Sequence, residues 1–129
     1  MGAVSGAGIG ASALWQAARD GKSAIGPLEL ERPGQHTIKI AAQVKGFDPA
    51  RHMDAATISF CDRFSQFAIV AADEAMAQAK LSREQRLGER AAVIVGTGVG
   101  GYTTLDDMMF IYNVPKTRIH PMSITRVMS

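Results

Sequence analysis

The sequence holds a single cysteine, so no disulfide can close within the chain, and a reducing, cytoplasmic setting is expected. It holds no apolar run of the length that spans a bilayer, about 20 residues. The first residues carry neither a basic start nor a compact apolar stretch, so no export signal is expected. No basic block is present: 14 Lys and Arg are scattered among 12 Asp and Glu, for a net charge of +2. That pattern describes a solvated mixed surface and argues against nucleic acid as a partner. Aromatic residues amount to only 6%. The three histidines, His36, His52 and His120, show no metal-ligand spacing and read as surface residues, and no cofactor is expected.

What is present is an ordinary globular composition. The 129 residues are 47% hydrophobic and 20% charged, which suits one domain around one core, spanning residues 1–129. Gly (13) and Met (7) are frequent, and alanine is abundant enough to favour close packing of helices.

Residues 1–5 read as the tail of a strand, followed by a glycine-rich turn from Gly6 to Gly10. Ser12 is placed to cap a helix over 13–20, with Gly21 as its stop and Leu14, Trp15 and Ala18 on an apolar side. A loop with Pro33-Gly34 leads to a strand over 37–44 and a turn at 46–49. Phe60, Phe64, Phe67, Ala71 and Ala75 recur at spacings of three and four, which predicts one helix over 59–80. Cys61, Ala68 and Ala72 widen its apolar face; Arg63, Gln66, Asp73 and Lys80 lie opposite. A short helix is expected to open at Ser82 with a capping box. The continuous apolar run over 91–95 predicts a strand buried on both faces of a parallel sheet. Thr103 is placed to cap the next helix, with Asp106 and Asp107 in its first turn and Pro115 ending it. Beyond Lys116 no period is visible. The order is α/β.

Two glycine patterns match the dinucleotide fingerprint: Gly96-x-Gly98-x-x-Gly101 and Gly6-x-Gly8-x-x-Ala11. The first lacks an acid some 20 positions on. The second has Glu29 and Glu31 at that distance but almost no strand before it. Glycines that let a strand-to-helix turn use positive φ account for both better than nucleotide binding does.

Five segments in order nevertheless resemble one family. Gly2-Ala3-Val4-Ser5 is similar to the close of its TGxGAVSPLG opening. Trp15 with Gly21-Lys22-Ser23-Ala24-Ile25 resembles the stretch that follows. Val44-Lys45-Gly46-Phe47-Asp48-Pro49 is similar to VKGFDP, Asp62-Arg63-Phe64-Ser65-Gln66-Phe67-Ala68 to MDRFxQFA, and Gly96-Thr97-Gly98-Val99-Gly100-Gly101 to GSGIGG. The set is that of the β-ketoacyl-[acyl-carrier-protein] synthases.

The resemblance implies a partial thiolase-like fold: part of the first βαβαβ half, in layers of helices and sheet, without the full first strand and without everything after Ser129. It implies an acyltransferase of fatty-acid biosynthesis that elongates acyl thioesters by decarboxylating condensation with malonyl-acyl carrier protein, dimeric when full length. The nucleophilic Cys is expected beyond Ser129, so no catalytic residue is assigned here. Cys61 stands at the Met position of MDRF and is expected to be a buried, inert core thiol. Val99 and Ile124 map to the acyl pocket, Gly96, Gly98, Gly100 and Gly101 to the glycine loop, and Arg118 with Lys116 to carrier-protein docking. The basic cluster that precedes MDRF in the family is replaced by Ser59 and Phe60. Two other functions stand beside this one: a non-catalytic partner that shapes a pocket for an active synthase, and a small nucleotide-binding domain.

Overall fold

The computed structural model describes residues 1–32, 34, 37–82, 84–85 and 87–128, with Arg90 described by its backbone only. His36 and Pro33 lie outside the described residues. The chain divides into two compact units: Met1–Phe47 with Val70–Leu81, and Asp48–Ile69 with Ser82–Ser129.

In the first unit, β1 (Val4–Ser5) and β2 (Gly8–Ile9) form an antiparallel hairpin, with Val4 opposite Ile9 and Ser5 opposite Gly8. The expected glycine turn is therefore shorter, because Gly8 and Ile9 return as a strand. The Ser5 hydroxyl accepts the Ala7 N–H at 3.2 Å and tightens the corner. Helix α1 (Ala11–Arg19) starts earlier than predicted, and Ser12 does not cap it. Its N-cap is Gly10 at φ 101, and the cap acceptor is a remote side chain, Glu74. Its end follows the sequence. Gly21, at φ 63, donates to the Ala18 carbonyl at 3.2 Å, and Lys22 donates to the Ala17 carbonyl at 2.9 Å. This paired closure is the Schellman motif. No residue of α1 is buried, and the predicted apolar side of Leu14, Trp15 and Ala18 is exposed.

The predicted strand over 37–44 contracts to β4 (Ile40–Ala41), paired antiparallel with β3 (Gly26–Pro27). Beyond the pairing, the Gln43 side-chain amide clamps the Glu29 backbone, accepting its N–H and donating to its carbonyl, each at 2.8 Å. Among the described residues, Phe47 and Val70 are the buried apolar residues of this unit.

The second unit opens with a 3₁₀ turn (Pro49–Arg51), whose Ala50 N–H is capped by Asp48 at 3.1 Å. The single helix expected over 59–80 is two: α2 (Ala55–Phe60) and α3 (Arg63–Gln78). Asp54 caps the first at Thr57, 2.7 Å. Cys61 then turns extended (φ −104, ψ 133), and Asp62 restarts the helix by accepting the Phe64 N–H at 3.1 Å. Apolar spacing carries through the break, which is why periodicity alone joins the two. Ala68 and Ala72 are exposed, and Gln66, expected on the polar side, is buried. Its amide donates to the Cys61 carbonyl at 3.1 Å, which satisfies it in the interior.

No helix opens at Ser82 among the described residues; a Ser82–Gln85 turn forms instead, and a 3₁₀ turn follows at Gly88–Arg90. The strand predicted over 91–95 is absent. Val93 and Ile94 are 92% and 93% exposed, since no strand among the described residues pairs with this segment. Helix α4 (Tyr102–Asn113) follows, and a helix missed by the sequence reading, α5 (Ser123–Met128), packs against it. Asp106 and Asp107 fall beyond the first turn of α4. No helix among the described residues is long and apolar enough to cross a membrane.

Candidate functional site

The site residues named from sequence all lie in the second unit: the glycine loop with Val99 before α4, Lys116 and Arg118 after it, and Ile124 in α5. The glycine loop is built by three contacts. Gly100 adopts φ 73, which glycine takes without steric cost, and donates its N–H to the Thr97 hydroxyl at 2.9 Å. Gly101 donates to the Val127 carbonyl at 2.9 Å. A Cβ on Gly101 would lie 2.8 Å from Val127 Cα and 3.1 Å from Asp62 Cβ, so close approach requires glycine there. Gly96 and Gly98 face open space.

Beneath this loop sits Asp62, 2% exposed. One carboxylate oxygen accepts the Phe64 N–H of α3; the other accepts the Thr104 N–H of α4 at 2.9 Å. Both helices thus draw a cap from one buried side chain. Thr103, expected to cap α4 locally, makes no cap hydrogen bond. The signal for Asp62 was legible in part: an Asp directly before an apolar-periodic run is an N-cap pattern. Its second bond, to a residue 42 positions away, was not.

The same device recurs in the first unit. Glu74 accepts the Ala11 N–H at 2.8 Å and the Ala3 N–H at 2.9 Å. These backbone donors at Ala3 and Ala11 hold its carboxyl below the usual 4.5, against partial burial, and the chain-terminal ammonium adds to the lowering. Each helix that follows a glycine fingerprint therefore has one first-turn N–H, that of Ala11 or Thr104, bonded to a protein carboxylate. A pyrophosphate there would meet that negative charge.

Cys61 is half-buried and sits in the extended joint between α2 and α3, so the core placement expected for it is corrected. His52 and His120 are exposed, and His120 Nδ1 accepts the Met122 N–H at 3.2 Å. Val99 and Ile124 are 74% and 70% exposed and line no described cavity. Lys116, at φ 51, and Arg118 border an open hollow of about 530 Å³ with Tyr112 and Asn113. Arg118 also lines a second cleft of about 510 Å³. The walls of that cleft come from Phe60, Met108, Ile111 and Met122, none of which the sequence reading had singled out as a site.

Comparison with known proteins places this arrangement. Residues 1–128 match the family model described as "Beta-ketoacyl synthase, N-terminal domain". A nodulation protein E from a Rhizobium species is 37% identical over 106 residues, covering 82% of this chain and 26% of that protein. A 3-oxoacyl-[acyl-carrier-protein] synthase 2 from Synechocystis is 30% identical over 111 residues, covering 86% and 27%. The ishigamide ketosynthase/chain length factor structure superposes with a TM-score of 0.82 at 26% identity, covering 98% of this chain and 32% of that one. The chain spans about a quarter of the length of the curated relatives it matches. The thiolase-like α/β fold expected from sequence is thereby shown, and the chain belongs to the β-ketoacyl synthase family, within its N-terminal domain.

Proposed function

We propose that these residues serve a 3-oxoacyl-[acyl-carrier-protein] synthase of fatty-acid biosynthesis, supplying its amino-terminal scaffold without its nucleophile. The reaction moves an acyl group from a carrier to a thiolate. Malonyl-carrier protein then loses carbon dioxide, and its carbanion attacks the thioester carbonyl and expels the thiolate. The step needs an activated thiol and donors for the developing oxyanion. Cys61 is the one thiol among these residues and is bracketed by two helices in an extended joint. In this reading the 129 residues are not expected to be catalytic by themselves.

The observation that carries the reading is the family match over residues 1–128, joined to a glycine loop fixed on the buried Asp62. In this reading the loop (Gly96, Gly98, Gly100, Gly101) borders an acyl pocket to which Val99 and Ile124 contribute once covered. Arg118 and Lys116 meet the acidic carrier protein. The active assembly is a homodimer in a reducing cytoplasm. A second reading, a non-catalytic partner that shapes the pocket of an active synthase, draws support from the chain length factor named with the ketosynthase in the structural neighbour.

Intact-mass analysis after incubation with acyl- and malonyl-carrier protein tests this. The expected result is carrier binding that weakens with Arg118→Glu, no acyl adduct on Cys61 and no released carbon dioxide. An acylated Cys61 overturns the reading. Stable, stoichiometric capture of a full-length synthase favours the partner role.

A further inference from the structure

The cleft of about 510 Å³ lies wholly within the second unit and has a division of chemistry that the glycine loop lacks. Its apolar walls come from three elements: Phe60 of α2, Met108 and Ile111 one turn apart on α4, and Met122 just before α5. Two arginines line it as well, Arg118 from the α4–α5 connection and Arg126 from α5. No Asp or Glu lines it, and among the described residues neither arginine has a carboxylate partner. A volume near 510 Å³ falls inside the range of small-molecule sites, about 300–1,000 Å³.

We propose that this cleft binds a free fatty-acid anion, its aliphatic chain against Phe60, Met108, Ile111 and Met122 and its carboxylate on Arg118 and Arg126. The walls favour a flexible chain over a rigid ring system, because methionine and isoleucine side chains re-pack around a mobile ligand and Phe60 is the one aromatic hydrocarbon among them, His120 adding a polar ring. The head follows from charge. A guanidinium offers a planar pair of donors that a carboxylate matches, and two of them with no acid alongside favour an anion over a cation or a neutral alcohol. The site is separate from Val99 and Ile124, neither of which lines it. It requires no covalent step, so occupancy competes with carrier docking at Arg118 instead of with acyl transfer.

Methionine-methyl NMR on the 129-residue chain reads this directly, since Met108 and Met122 line the cleft and Met53 and Met76 do not. Sodium dodecanoate below its micelle concentration is expected to shift Met108 and Met122 saturably and to leave Met53 and Met76 unmoved. Affinity should fall about fourfold for each methylene removed, through decanoate to octanoate. Arg126→Gln, an exposed position, is expected to weaken binding about tenfold, and Ile111→Trp to abolish it by filling the cleft. Dodecyltrimethylammonium should not compete. Uniform shifts at all methionines, equal binding of the cationic amphiphile, or affinity indifferent to chain length would each overturn the proposal. So would unchanged affinity in both arginine variants, Arg118→Gln and Arg126→Gln.

Discussion

The carboxylate of Asp62 accepts the backbone N–H of Thr104 at 2.9 Å while its other oxygen holds Phe64 at 3.1 Å. One buried side chain thereby caps two helices that are distant in sequence. A cap is worth about 1 kcal/mol, and a hydrogen bond to a buried charge about 1.5–3 kcal/mol. Asp62→Ala is expected to lower stability by roughly 3 kcal/mol. Asp62→Asn keeps one acceptor oxygen and should lose about half of that. Urea unfolding followed by circular dichroism checks both, and equal losses in the two variants would contradict the double cap.

Glu74 gives a pH dependence with a definite sign. Its folded carboxyl lies below the ordinary 4.5 because Ala3 and Ala11 donate to the charged form. A depressed carboxyl contributes stability that is complete above the unfolded value and lost as pH falls through the folded one. Glu74→Gln is therefore expected to melt earlier than the parent at neutral pH. The gap should close progressively once the pH drops below about 4.5 and vanish when both carry a neutral side chain. A gap that persists unchanged into acid would refute the assignment.

Glycine positions separate close packing from backbone freedom. A Cβ on Gly2 would fall 1.9 Å from the Ala71 carbonyl oxygen, so Gly2→Ala must displace the start of the chain from α3. Overpacking of this kind costs about 1–3 kcal/mol. Gly21 faces open space but sits at φ 63, and Gly21→Ala should cost nearer 1 kcal/mol. Gly26 has neither constraint, and Gly26→Ala should be neutral within about 0.5 kcal/mol. Thermal melts of the three variants test that ranking.

Val93 and Ile94 stand almost fully in water in a segment without strand partners among the described residues. An extended apolar segment with open backbone groups templates pairing between molecules. Concentration-dependent light scattering is expected from the parent chain. Ile94→Lys should suppress it while changing stability by no more than about 0.5 kcal/mol. Undiminished scattering would place the sticky surface elsewhere.

Local signals were readable and remote ones were not. The stop at Gly21 and the turn at Gly46 depend on a few neighbouring residues, and both hold in the structure at φ 63 and φ 69. The ordered glycine and MDRF-like segments identified the family. The caps expected from Ser12 and Thr103 failed for a shared reason: each helix begins one residue before them, at Ala11 or Tyr102, so both lie inside the first turn, and a distant carboxylate, Glu74 or Asp62, accepts a first-turn N–H instead. Spacing could not reveal the break at Cys61, because the apolar period continues across it. Residues 91–95 have the composition of a buried strand, but burial is supplied by neighbours and not by the strand's own sequence. The fatty-anion cleft joins α2, α4 and α5, whose meeting no linear pattern encodes.

The joint at Cys61 also divides the timescales of the helices it separates. Helix α2 has six residues, too few to persist in water without outside support. Only one intrahelical span lies between Asp54 and Cys61, so its amides should exchange with deuterated solvent well before those of the sixteen-residue α3. Opening of α2 would carry Phe60 away from the cleft and lay the Cys61 sulfur bare. The thiol's reactivity toward a soluble alkylating reagent then becomes a clock for that breathing motion.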